Sequence, residues 1–199
     1  MTSPEESLPH DEPRGWPVVR SEDLHRDGWV VALRQDWITD PEGREEPFRR
    51  LVLEHPGAAV VLAVDEQDRV LCLWQYRHAA ARRFVEIPAG LLDQPGEEPE
   101  QVARRELVEE AGYEAEDWTH LVSTYSSPGI SSEVAHIYLA RGLTHVGRGD
   151  FVLAHEEAEM ETGWVPFPDL YAAVLGGRVQ DAPVVIAVLA AAARGLMSP

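Results

Sequence analysis

Residues Gly90 to Tyr113 read GLLDQPGEEPEQVARRELVEEAGY. A glycine-bearing loop runs into Pro99, and a helical pattern then continues to Gly112. Proline suits a first helical turn and glycine a helix end, so a helix over 99–111 is predicted. Val102, Leu107 and Ala111 share its inner face. Glu106, Glu109 and Glu110 stand at i, i+3 and i+4, so three carboxylates project together. Like charges so placed destabilise an isolated helix by roughly a few tenths of a kcal/mol per pair. The plain explanation is a solvated acidic face. The sharper one is a cation site, because the apolar strand and loop EIPAGLLDQPGE just upstream can direct a backbone carbonyl at an ion. Carboxylate, carbonyl and water oxygens favour Mg²⁺ or Mn²⁺. Zinc is not expected there, since the eight histidines show no paired-ligand spacing.

Outward from this segment the pattern is mostly strand. WVVALRQDWI from Trp29, a turn at Asp40-Pro41-Glu42-Gly43, and FRRLVLEH form a candidate hairpin. AAVVLAVD and VLCLWQYR are continuous apolar runs, the mark of strands buried on both faces. RFVEIPAG reads as one short strand ended by Pro88 and Gly90. Beyond the helix come strand-like LVSTYS and AHIYLARGL, with the loop SPGISSE between them. GWVPFPDLYAAVLGG supplies a strand and a short helix, and DAPVVIAVLAAAARG a buried terminal helix. The fold class expected is α+β, an α/β/α sandwich. Residues 1–18, with Pro4, Pro9, Pro13 and Pro17 among acids, are expected to be a mobile tail. A β extension over 19–55 and a main domain over 56–199 complete the division.

Of 199 residues, 35 are acidic and 17 basic, a formal charge of −18. That field repels a nucleic-acid polymer, whose binding rests on phosphate neutralisation. The longest apolar run, Ala182 to Ala193, is too short to cross a bilayer and lies between Asp181 and Arg194. No membrane association is expected, and with no secretory signal at the start a cytoplasmic enzyme is the expectation. The single Cys72 excludes an intrachain disulfide and reads as core.

Gly90 to Tyr113 resembles the Nudix box. Glu97, Arg105, Glu106, Leu107, Glu109, Glu110, Gly112 and Tyr113 all fall on its fixed positions. One departure is a loop of six residues, not five, between Gly90 and Glu97. The resemblance implies an N-terminal antiparallel β extension on a sandwich with a mixed sheet. It also implies Glu106 and Glu110 as principal Mg²⁺ ligands, with Mn²⁺ a possible substitute. Glu109 would help directly or through water, the Ala89 carbonyl would be a backbone ligand, and Arg105 would orient the helix by pairing with Glu97.

Similarity continues outside the box, toward the ADP-ribose pyrophosphatase branch. QYRHAAARRFVEIPAG matches that branch ahead of the box, and Pro128 lies 15 residues beyond Tyr113, where the branch carries a marker proline. On this resemblance Arg77 contacts a substrate phosphate and Glu86 the nucleoside, while Pro128 and Glu133 of SPGISSE line the substrate. AHEEAEME places Glu156, Glu157, Glu159 and Glu161 in a loop before Trp164. Comparison with the family favours Glu157 as the base, with Glu156 and Glu159 as rivals and His155 as a loop residue. The expected reaction is hydrolysis of the pyrophosphate of ADP-ribose, or of a similar nucleoside diphosphate sugar, by a homodimer. Alternatives are a nucleoside triphosphate or oxidised-nucleotide pyrophosphohydrolase and a non-catalytic Nudix-like binding module. An intact set of box glutamates argues against the module.

Overall fold

The computed structural model describes residues 8–28, 30–149, 151 and 159–199. The chain forms two compact units, Met1–Leu53 and Glu54–Pro199.

In the first unit, three strands lie in the order β1 (Val18–His25), β2 (Ala32–Ile38) and β3 (Phe48–Glu54). The expected hairpin is therefore present as β2 and β3. Its turn is organised by the buried Asp40, whose oxygens accept from the Glu42 and Glu45 N–H groups at 2.9 and 2.8 Å. The β1 edge strand was not singled out in the sequence. It is exposed along all eight residues and pairs with β2 antiparallel. Polar and cation–π contacts hold that pair: Ser21 Oγ donates to Asp36 at 2.6 Å, and the Arg20 guanidinium lies 4.4 Å from the Trp37 ring.

The second unit is built on β4 (Ala58–Ala63), every residue of which is buried. Its two faces feed two cores. Ala59, Val61 and Ala63 pack with Val102, Ala103 and Leu107 of helix α1 (Pro99–Ala111). Val60 and Leu62 pack on the opposite side with Val184, Ala187, Val188 and Ala191 of helix α3 (Ala182–Ala193) and with Phe167 and Leu170 of helix α2 (Phe167–Leu175). Two covered faces account for the unbroken apolar run, and each fully buried Val or Leu contributes about 1.5–3 kcal/mol. Four strands share this sheet, in the order β7 (Ala89–Leu91), β4, β9 (Val134–His145) and β8 (Tyr113–Tyr125). The β4–β9 pair is parallel, with Val60 opposite Ile137, whereas β7 and β8 join antiparallel. A second sheet runs β10 (Glu161–Pro166), β5 (Arg69–Arg77), β6 (Arg82–Glu86). The α+β sandwich with a mixed sheet is as expected.

Several boundaries differ from the sequence reading. RFVEIPAG is two strands in two sheets: β6 and β7 part at Ile87-Pro88, where the Pro88 carbonyl accepts from the Val61 N–H at 2.8 Å. Gly90 lies inside β7 and does not end a strand. β8 begins directly after Gly112, far ahead of LVSTYS. Glu161 opens β10 and is no loop residue. Cys72 is core as expected, and burial pushes its thiol up to about 12, which leaves it protonated and unreactive. Among the described residues, no helix is long and apolar enough to cross a membrane.

Candidate active site

Helix α1 starts where its sequence says it should. Pro99 occupies the first turn, Glu98 and Gln101 form a reciprocal capping box, and Gly112 closes the helix with φ 75°. These fixed ends set the rotation of the helix over the sheet. Glu110 is thereby turned inward and buried, and its Oε2 accepts from the Ala89 N–H at 2.9 Å. Ala89 thus meets the helix through its N–H; its carbonyl is the group the resemblance assigns to a cation.

Glu106 lies one helical turn earlier, over Gly90. A Cβ at Gly90 would stand 2.0 Å from the Glu106 carboxyl carbon. Only glycine leaves room for a carboxylate pressed against β7 at this point, which explains why a glycine stands within a strand.

Arg105 braces the group from the side. Its Nη1 donates to Glu106 Oε1 at 2.6 Å and to Glu109 Oε2 at 3.1 Å, while Nε and Nη2 reach Glu97 at 3.4 and 3.3 Å. Burial alone would disfavour the guanidinium charge. The Glu97 hydrogen bond and the fields of Glu106, Glu97 and Glu109 outweigh it and raise the pKa above the ordinary arginine value. The expected Arg105–Glu97 pair is present, and the same guanidinium serves two further carboxylates.

A second constellation spans the ends of β5 and β6. Arg77 Nε and Nη2 donate to the two oxygens of Glu86 at 2.9 and 2.6 Å. Glu86 is buried and Arg77 about half exposed. The Glu86 hydrogen bond is the main reason the Arg77 pKa is raised, and the fields of Glu110 and Asp181 add to it. This electrostatic reach links the Arg77–Glu86 pair to the carboxylates of α1. Asp181 was read from the sequence only as the flank of an apolar run. It caps α3, accepting from the Val184 N–H at 3.1 Å, and burial together with the Glu86 charge pushes its carboxyl up to about 6. The only local signal was Asp followed by Ala-Pro, a helix start, which says nothing of a charged neighbour.

Pro128 is exposed in the turn between β8 and β9, and Glu133 ends that loop with its N–H on Ser131 Oγ at 3.1 Å. Glu159 is exposed, and Glu161 pairs with Arg83 at 3.0 Å. His155, Glu156 and Glu157 lie outside the described residues.

Among the described residues, no three His, Cys, Asp or Glu side chains form a ready metal cage. Arg105 holds the Glu106 and Glu109 carboxylates on its guanidinium. The donor chemistry nevertheless fits a hard divalent cation. Glu97, Glu106 and Glu109 share one guanidinium, and Gly90 keeps clear the space into which Glu106 projects. An oxygen-only set with surplus negative charge suits such an ion.

Comparison with known proteins agrees with this geometry. Residues 53–188 match the model of the NUDIX domain. An ADP-ribose pyrophosphatase of Mycobacterium tuberculosis is 42% identical over 173 residues, covering 87% of this chain and 81% of the relative. A GDP-mannose pyrophosphatase of Cronobacter sakazakii is 32% identical, covering 80% of this chain and 86% of that protein. A solved structure described as an ADP compounds hydrolase superposes with a TM-score of 0.71 at 20% identity, over 94% of this chain and 96% of that one. The family model spans the acidic helix, the glycine beneath it and both arginine constellations, and the chain belongs to the Nudix hydrolase family.

Proposed function

We propose that the protein hydrolyses the pyrophosphate bond of ADP-ribose, giving AMP and ribose 5-phosphate. The observation that carries this is the α1 carboxylate group over Gly90, with Arg77 at the adjoining strand ends and electrostatically coupled to Glu110. Glu106, Glu109, Glu110 and the Ala89 carbonyl are the oxygens that would hold Mg²⁺, with Mn²⁺ as a substitute. When bound, such an ion offsets diphosphate charge and acidifies a water. The residues of the chain do the rest. Arg77 offers a guanidinium fork to a substrate phosphate. To do so it must release part of its bidentate grip on Glu86, which frees that carboxylate to accept from the nucleoside. Arg105 holds the acidic helix to Glu97. Pro128 and Glu133 shape the substrate side from the β8–β9 loop. Glu157 accepts the proton from the attacking water.

The test is a panel of diphosphate sugars and nucleoside triphosphates with Mg²⁺ and with Mn²⁺, products identified by mass. AMP and ribose 5-phosphate from ADP-ribose, at the highest kcat/KM of the panel, is the expected result. Preference for GDP-mannose would move the substrate within the family, and preference for a triphosphate would overturn the reading. For the base, Glu157→Gln should lower kcat by roughly 10²–10⁴-fold with KM nearly unchanged. Full turnover in that variant, with loss in Glu156→Gln or Glu159→Gln, would reassign the role.

The same reading makes the protein a cytoplasmic homodimer joined through residues 19–55. An edge strand exposed along its length, with Val18, Val19 and Leu24 all open, supports it. A monomeric mass in solution at micromolar concentration would contradict it.

A further inference from the structure

Two histidines on the main sheet share one hydroxyl. Ser123 Oγ lies 2.9 Å from His120 Nε2 and 2.9 Å from His136 Nδ1. Ser123 and His136 are cross-strand neighbours in the β8–β9 ladder. His120 is three residues from Ser123, and in a regular strand that spacing puts side chains on opposite faces. A bulge removes the conflict: the β8 register shifts between His120 and Val122, leaving Leu121 as the extra residue. Leu121 turns into the core, and His120 comes round to the Ser123 face.

The bulge is held from outside its strand. Arg194, which closes α3, donates from Nη1 to the His120 carbonyl at 2.7 Å and the Leu121 carbonyl at 2.9 Å. Bulges re-aim side chains, and this one is pinned by a cation from a different layer of the fold. His120 also packs edge-on to Tyr138, with ring centroids 5.4 Å apart, which limits its rotation.

We propose that His120 and His136 form a binding site for a borderline transition-metal cation, Ni²⁺, Cu²⁺ or Zn²⁺, separate from the carboxylate group of α1. Both imidazoles already point a nitrogen at one position, now held by the Ser123 hydroxyl. An ion with bonds of about 2.0–2.1 Å to each nitrogen takes that position after small side-chain rotations. Imidazole suits Ni²⁺, Cu²⁺ and Zn²⁺, whereas Mg²⁺ prefers oxygen, so the two sites select different ions. Both side chains are accessible enough for water to complete the coordination.

The experiment uses the untagged full chain, stripped with a chelator and held in excess Mg²⁺ so that the carboxylate oxygens are occupied. Calorimetric titration with Ni²⁺ should show one equivalent bound, and the Cu²⁺ form should show electron-spin coupling to two imidazole nitrogens. His120→Ala and His136→Ala should each abolish that equivalent, while Ser123→Ala should retain it. Arg194→Gln, which frees the bulge, should weaken it about tenfold, the low end for loss of an outer support. Circular dichroism should be unchanged in all four, since the substitutions lie outside the core. No Ni²⁺ bound to the wild type, or binding unaltered in both histidine variants, would overturn the proposal.

Discussion

On α1 a single guanidinium, Arg105, serves three carboxylates, whereas at the ends of β5 and β6 Arg77 holds Glu86 through both of its oxygens. Both arginines have raised pKa values, yet for different reasons. Arg77 owes this chiefly to one bidentate partner, and Arg105 overcomes its own burial by the summed field of several. The one-to-one pair is balanced in charge and yields by exchanging one anion for another, such as a phosphate. The α1 group has more negative charge than its arginine can balance. Evolution of a merely stable helix would have removed that excess, because it works against the helix. The surplus marks the place where a cation is needed, and the balanced pair marks where an anion is exchanged.

Removing charge from the unbalanced group should have the largest effect. Glu110→Gln should abolish nearly all hydrolysis at saturating Mg²⁺ while circular dichroism stays native, because the amide still accepts from the Ala89 N–H. Near-wild-type turnover would remove the carboxylates from the chemistry. Gly90→Ala sharpens the same point sterically. Its Cβ would collide with the Glu106 carboxyl, the free end of a flexible side chain, so the fold yields little and Glu106 must move. Turnover should fall about 10²-fold, the cost of a displacement near 1 Å at a reacting centre. Unchanged kinetics would mean that Glu106 does not work from this position.

The balanced pair should respond in binding. Arg77→Gln should raise KM about tenfold with a smaller change in kcat, as expected for loss of a contact present in both ground and transition states. It should also destabilise the fold by about 1–3 kcal/mol, since Glu86 stays buried without its partner. A fall in kcat alone would erase the contrast between the two groups.

The smallest effect concerns Asp181. Its folded pKa, about 6, lies above the ordinary aspartate value of 3.8, so the fold favours the protonated carboxyl. That stabilisation is fully present below about 3.8 and is lost as pH rises through about 6. Asp181→Asn keeps the helix cap and removes the buried charge. Thermal melts should show it more stable than wild type above neutrality and equal to wild type near pH 4. A difference independent of pH would place the effect in packing.

How much of this was legible depended on the range of the signal. Pro99, Gly112 and the spacing of Glu106, Glu109 and Glu110 are local, so α1 and its acidic face could be read directly. β4 was equally clear, because burial on both faces leaves only apolar residues. Gly90 was misread as a strand end, since its cause is Glu106 on a helix that comes later in the chain. β1 escaped because it covers no core and therefore shows no apolar alternation. The partnership of Arg77 with Glu86, and of both with Asp181, depends on a strand pairing and a helix start far apart in sequence. His120 and His136 meet only because a bulge changes the parity of β8, and spacing along the chain cannot reveal that.

The parallel pairing of β4 with β9 has a consequence for synthesis of the protein. Residues 58–63 find their parallel ladder partners at 135–140. A nascent chain that has released the whole Nudix box still lacks the strand that flanks β4, with one edge of its most apolar segment open. Local folding can form α1 and the β4–β7 contact, but closure of the sheet waits for β9 to leave the ribosome. Such long-range pairing slows folding and prolongs exposure of a sticky edge. Stalling translation before residue 135 should therefore give a chain that chaperones retain, and release past β9 should let the sheet close.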